Sequence, residues 1–249
     1  MEKKALNKKR LKIVLIVCIV VALTAGIGLA AYTYHVDTTT LGRKISIYGL
    51  DVSKFTAEEA RQKITETFQD STVNFKEDGE NVYNVSMAQL GYSLDQDALK
   101  STLESLKQQR RQNRQIFATQ KDYKIDYQII KDESQEQSAL SADNFGSKER
   151  TESTDAHIRY SKKKQKYVLV KQVQGNQIDE NRLISYVDEV LDENLKTELL
   201  SSERTIELNE EVYRQPDIEE SGEMKQKVKK LNSLLKKYRS TTVSYLFGE

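Results

Sequence analysis

A chain of 249 residues that is 37% apolar and 31% charged can bury one modest core or two small ones, but not a large one. Six of its 39 Lys and Arg residues (Lys3, Lys4, Lys8, Lys9, Arg10 and Lys12) precede the first apolar run, with Glu2 as the only acid there, so the remainder is acidic at 33 basic against 37 acidic residues. That balance leaves no broad basic face for neutralising phosphates and excludes nucleic acid as an expected partner.

Residues 13–32 are twenty positions without a charge, about 30 Å of helix, which matches the hydrocarbon thickness of a bilayer. The six basic residues before the run, against a first basic residue at Arg43 after it, predict a cytoplasmic tail over residues 1–12 and an anchor over 13–34. The rest of the chain is then expected outside the cell membrane. Gly28, Leu29 and Ala30 resemble a small-residue cleavage site, so a cleaved signal sequence is the alternative, although signal cores run only about 7–15 apolar residues. Cys18, the only cysteine, falls inside the run, so no disulfide, thiolate nucleophile or cysteine metal ligand is expected beyond it.

Residues 35–44 read as a polar spacer. Thr56 and Glu59 form a capping-box pattern, and Ala60, Ile64 and Phe68 follow at four-residue spacing, which predicts a helix over 57–69. Residues 72–76 and 81–85 alternate as strands around Glu77-Asp78-Gly79-Glu80, a turn-forming tetrapeptide, and so predict a hairpin.

An ungapped shift of 84 residues then superposes the chain on itself, with Tyr83 on Tyr167, Val85 on Leu169, Gly91 on Gly175, Leu94 on Ile178 and Asp95 on Asp179. Leu99, Leu103 and Leu106 fall on Leu183, Val187 and Val190, one apolar helical stripe in each copy. Each copy reads as a hairpin strand, a glycine turn, an Asp N-cap and a helix, followed by a strand near 123–129 in the first and 205–208 in the second. The fold class expected is α+β: two repeated units of hairpin strands plus helix, preceded by one transmembrane helix. The first repeat takes residues 45–130 and the second 156–218. Residues 131–155, rich in Ser, Glu, Gln, Asp and Lys, read as a solvated linker. Residues 219–249 are expected to hold a basic amphipathic helix over 223–238, with Met224, Val228, Leu231 and Leu235 on one stripe docked on its own domain, and a strand over 242–247 that leads toward a missing domain.

No catalytic, cofactor-binding or metal-ligating residue is assigned and no cofactor is expected. His35 and His157 lack a nucleophile signature around them, and two isolated histidines fall short of a metal site. Ser161-Lys162-Lys163-Lys164 matches S-x-x-K formally, but it falls in a predicted hairpin turn and no K-T-G follows. Exposed tyrosines such as Tyr92 and Tyr160 are candidates for stacking on sugars, with ordinary packing as the alternative.

Gly49, Asp51, Val52, Ser53, Thr56, Glu58, Glu59 and Ala60 form G-x-D-V-S-x-x-T-x-E-E-A. This stretch resembles the start of the peptidoglycan-binding domain that lies between anchor and catalytic domain in YkuD-type L,D-transpeptidases. Residues 155–160 and 167–170, Gly175, Ile178-Asp179 and Tyr213-Arg214-Gln215-Pro216 are similar to that domain's second half, and residues 231–235 and 243–248 to the lead-in to the transpeptidase part. The resemblance covers residues 45–249. It implies a membrane-anchored scaffold working at peptidoglycan, with which it makes weak or positional contact through residues that the resemblance does not locate. The family's catalytic S-H-G-C motif has no counterpart, so the chain as given is expected to be non-catalytic. The same scaffold also occurs in VanW-like membrane proteins, so an interaction or sensory ectodomain is the alternative.

Overall fold

The computed structural model describes residues 2–113, 119–146 and 148–239. The α+β expectation holds: small sheets alternate with six α-helices among the described residues, and the first helix, α1 (Glu2–Thr39), is long and apolar enough over Val14–Thr39 to cross a membrane. Contacts divide the chain into two compact units. The first takes the residues up to Val73, then Ser86–Glu133 and Glu193–Arg204; the second takes Asn74–Val85, Ser134–Asp192 and the residues from Thr205 onward. These units do not follow the repeat boundaries, because most of the first copy's hairpin belongs to the second unit and Glu193–Arg204 to the first.

In the first unit, residues 35–44 are not a spacer. Helix α1 runs on to Thr39, Val36 and Leu41 are buried, and Arg43 folds back to grip Asp37 through two hydrogen bonds of 3.1 and 3.0 Å. The segment is polar by composition, but its two apolar side chains are spaced to reach the core. Strand β1 (Ile45–Ile47) pairs antiparallel with β2 (Leu50–Asp51) through a two-residue turn in which Tyr48 and Gly49 both have positive φ. It also pairs in parallel with β6 (Lys121–Tyr123).

Helix α2 (Ala57–Asp70) starts at the expected capping box. Glu59 N donates to Thr56 Oγ1 at 3.2 Å and Thr56 N donates to Glu59 Oε2 at 2.8 Å, so two first-turn donors are satisfied. Its Ala60, Ile64 and Phe68 are fully buried, each large side chain contributing about 1.5–3 kcal/mol. Helix α3 (Gln96–Gln112) packs against α2 with Leu99, Leu103 and Leu106 inward. Beside it, β5 (Tyr92–Leu94) pairs antiparallel with β7 (Ile129–Lys131). The single strand expected near 123–129 is therefore two short strands, β6 and β7, with residues 124–128 between them.

Strands β3 (Thr72–Glu77), β4 (Glu80–Ser86) and β10 (Glu203–Leu208) form a sheet of order β10-β3-β4. In the second unit, the β3–β4 turn places Asp78 and Gly79 at positive φ, as a tight hairpin requires. Residues 131–155 are not a solvated linker either. They carry α4 (Glu133–Ala139) and a 3-10 turn (Ala142–Phe145), and Leu140 and Phe145 are fully buried. Phe145 packs edge-on against Phe75 and Tyr83 with ring centroids 5.3 and 5.0 Å away. Two apolar residues in a polar stretch suffice when an aromatic cluster receives one of them.

Strands β8 (His157–Ser161) and β9 (Lys166–Val170) form a second hairpin. Helix α5 (Glu180–Thr197) begins at Asp179, whose Oδ1 accepts from Asn181 N and Arg182 N. Its buried stripe runs Leu183, Val187, Leu191, Leu195; Val190 is only half-buried, so the copies diverge in their third position. Helix α6 (Gly222–Arg239) lays the half-buried Met224, Val228, Leu231 and Leu235 toward the β8–β9 hairpin, in agreement with the amphipathic pattern. The strand expected over 242–247 lies outside the described residues.

The duplication is visible in backbone pairing. Asp95 N donates to Gln128 O at 2.8 Å and Asp179 N donates to Val212 O at 3.0 Å. Leu94 pairs with Ile129, and Ile178 with Tyr213. Donor and acceptor are offset by the same 84 residues in every case.

Candidate functional site

Three separate segments of the first unit enclose a cavity of about 400 Å³. The end of α1 and the following turn supply Asp37, Gly42 and Arg43, the last turn of α3 supplies Gln109 and Arg110, and β6 supplies Lys121 and Tyr123. Thr40 N still donates to Val36 O, after which Leu41 N turns to Phe55 O and Gly42 N to Thr40 Oγ1. Gly42 has φ +115°, and a Cβ there would lie 3.0 Å from Arg110 Nη2, so glycine both permits the turn and leaves room for the guanidinium.

Arg110 is fixed on two sides. Its Nη1 donates to Tyr123 Oη at 3.2 Å, its Nη2 donates to Arg43 O at 3.3 Å, and the guanidinium carbon lies 5.8 Å from the Tyr123 ring centroid. Asp37 balances the charge of Arg43. Neither Arg110 nor Lys121 has a carboxylate within ion-pair distance among the described residues, so the lining carries two uncompensated positive charges with amide and hydroxyl donors around them. This arrangement can bind an anion. Among the described residues it sets no nucleophile beside a base. Arg43, Arg110 and Lys121 lie up to 78 positions apart in sequence, and no local motif joins them.

A second polar cluster is built into the second unit around Glu77, which is 3% exposed. Its Oε1 accepts from Tyr213 Oη at 2.7 Å and from Arg150 Nη1 at 2.8 Å, while Oε2 is buried without a hydrogen-bond partner. Arg150 also donates to Phe145 O and Asn176 O, and Lys148 Nζ donates to Glu77 O and Asp78 Oδ2. Burial first, then the hydrogen bond and charge of Glu77, push the Tyr213 phenol well above its ordinary range. Sequence placed Glu77 in a turn-forming tetrapeptide. Only its position two residues after the inward Phe75 on a strand marks it as inward-facing.

The other residues singled out by sequence are dispersed. Cys18 and His35 are exposed on α1, and His157 is exposed with Nδ1 3.0 Å from Asp155 O. Ser161 ends β8 and Lys162 to Lys164 lie in the β8–β9 turn, where Ser161 Oγ accepts from Lys164 N. Among the described residues no three His, Cys, Asp or Glu side chains gather as metal ligands. Tyr92 does not offer a stacking face, since it is 3% exposed with Lys131 Nζ 5.9 Å from its ring centroid. Tyr160 is 39% exposed, packs edge-on against Tyr167 and accepts a hydrogen bond from Arg239. A scan of protein families, a search of curated proteins and a search of solved structures each return no match.

Proposed function

We propose that this chain is a membrane-anchored scaffold that works at peptidoglycan outside the cell membrane, as the anchor and scaffold part of a YkuD-type L,D-transpeptidase. Its N-terminal tail lies in the cytoplasm and its task is positional. The observation that carries the reading is the join between anchor and fold: α1 enters the first unit without a flexible spacer, with Val36 buried and Asp37 gripped by Arg43 through two hydrogen bonds. A module joined to its anchor in this way holds its distance from the bilayer and raises the local concentration of whatever it carries near a wall polymer. The resemblance over residues 45–249 is what favours peptidoglycan as that polymer.

Two measurements test it. Protease added to intact cells should cut the region after residue 44 while sparing the tail. The full chain in detergent should sediment with purified sacculi above the level of an unrelated membrane protein. Protection of the region after residue 44 from the protease would refute the topology, and a supernatant-only distribution would refute wall binding.

A further inference from the structure

We infer that the cavity bounded by Arg110 and Lys121 holds the phosphodiester headgroup of an anionic phospholipid in the leaflet at which α1 leaves the membrane. The inference rests on the reading of α1 as an anchor. Its chemistry is that of a phosphate ester monoanion, which takes charge-assisted hydrogen bonds from a guanidinium and an ammonium.

Depth selects the ligand. The twenty residues that match the hydrocarbon thickness, 13–32, reach Tyr32, and Asp37 in the cavity wall, the first charged residue after them, is five residues further on, about 7.5 Å along the helix axis. The polar layer of a bilayer is about 5–8 Å thick on each side, so the cavity wall begins where lipid phosphates lie. A second contact ties the first unit to the same level. Lys54 Nζ lies 5.8 Å from the centroid of the Tyr32 ring, which brings a loop of the first unit down to the edge of the hydrocarbon. Tyr32 and Tyr34 are both exposed on α1, 49% and 59%, as interfacial aromatic anchors are.

The donor count fits one headgroup. Asp37 neutralises Arg43, leaving among the described residues Arg110 and Lys121 as two cationic donors for the two non-bridging oxygens of one phosphodiester. Arg110 is already oriented by Tyr123 and Arg43 O, so little side-chain freedom remains to be lost on binding.

The test uses the full chain in nanodiscs of phosphatidylcholine with a rising fraction of phosphatidylglycerol, following hydrogen exchange in residues 119–123. Exchange should slow and half-saturate at a low phosphatidylglycerol fraction. Arg110→Gln and Lys121→Gln should each raise the half-saturating fraction about fivefold, and the double variant about thirtyfold. Neutralising Lys8 and Lys9 in the tail should leave the response unchanged. A flat response to phosphatidylglycerol would overturn the inference, and so would an unshifted half-saturation in both Arg110→Gln and Lys121→Gln. Inorganic phosphate giving the same Arg110-dependent protection in pure phosphatidylcholine would reassign the cavity to a free anion and refute the lipid. Failure of the anchor reading shows separately, as a chain that carbonate extracts from membranes.

Discussion

Tyr213 donates its phenolic hydrogen to Glu77 Oε1 across 2.7 Å. The acceptor is a carboxylate with 4% of its side chain exposed, also bound by Arg150, so the bond is charge-assisted and shielded from water. Tyr213→Phe removes the donor and keeps the ring. We expect a loss of about 1.5–3 kcal/mol in urea unfolding. Glu77→Ala leaves Arg150 without its carboxylate and should cost about 3–5 kcal/mol. A Tyr213→Phe midpoint equal to that of the wild type would show that the bond contributes nothing.

The same pair sets an alkaline limit. Burial and then Glu77 raise the Tyr213 phenol above its ordinary value of 10.0, so the folded chain holds this proton more tightly than the unfolded chain. The stabilisation is fully present below pH 10.0 and disappears as pH rises through the folded value. Phenolate absorbance should therefore show one tyrosine fewer titrating near pH 10 than in Tyr213→Phe corrected for its missing ring. Equal titration of all tyrosines before unfolding would contradict this.

At the acidic end, Glu59 is held below its ordinary value of 4.5, first by the Thr56 backbone donor and then by the Thr56 hydroxyl. Its folded value is depressed, so the capping interaction is present above pH 4.5 and is lost as pH falls through the folded value. Carboxyl NMR titration should give Glu59 a midpoint below that of exposed glutamates, and Thr56→Ala, which removes the hydroxyl but keeps the backbone donor, should move it part of the way back up. An unmoved midpoint in Thr56→Ala would leave the backbone donor as the sole cause.

Gly91 and Gly175 occupy one position of the duplicated sequence for different reasons. Gly91 has φ +81°, the left-handed turn expected of it. Gly175 is needed for space, because a Cβ there would lie 2.4 Å from Thr151 O and 2.5 Å from Ser153 N, both backbone atoms that cannot swing aside. Gly91→Ala should cost about 1–2 kcal/mol of left-handed strain, whereas Gly175→Ala must displace residues 151–153 and should cost about 1–3 kcal/mol. Crystal or NMR comparison should find the backbone near Thr151 shifted only in Gly175→Ala. An unshifted segment would mean that the clash is relieved elsewhere.

What sequence could reveal followed from local periodicity and chemistry. The capping box at Thr56, the Asp95 and Asp179 caps, the turn at Asp78-Gly79 and the stripe of α6 all depend on neighbours within a few residues, and each lies where its pattern placed it. The 84-residue shift recovered a pairing pattern because both copies keep the same strand-to-cap spacing. Features decided by distant partners were not legible. Phe145 is buried only because Phe75 and Tyr83 receive it, and the Arg110 cavity exists only because α1, α3 and β6 converge. Composition averages over such residues and so read residues 35–44 and 131–155 as solvent-facing.

Asn232 connects α6 to the second hairpin by imitating a strand. Its Oδ1 accepts from Tyr167 N and its Nδ2 donates to Tyr167 O, both at 2.8 Å, so one side-chain amide satisfies the two backbone groups of a β9 residue. The apolar stripe of α6 is only half-buried, which makes this pair of bonds a large share of what orients the helix. Asn232→Ala removes both and should weaken α6 docking by about 1–3 kcal/mol. Amide exchange along residues 222–239 should accelerate by one to two orders of magnitude, while amides of α2 and α3, which depend on other contacts, keep their protection. Uniform acceleration across all helices would instead place Asn232 in the global stability of the fold. No change in α6 would show that the apolar stripe alone holds it.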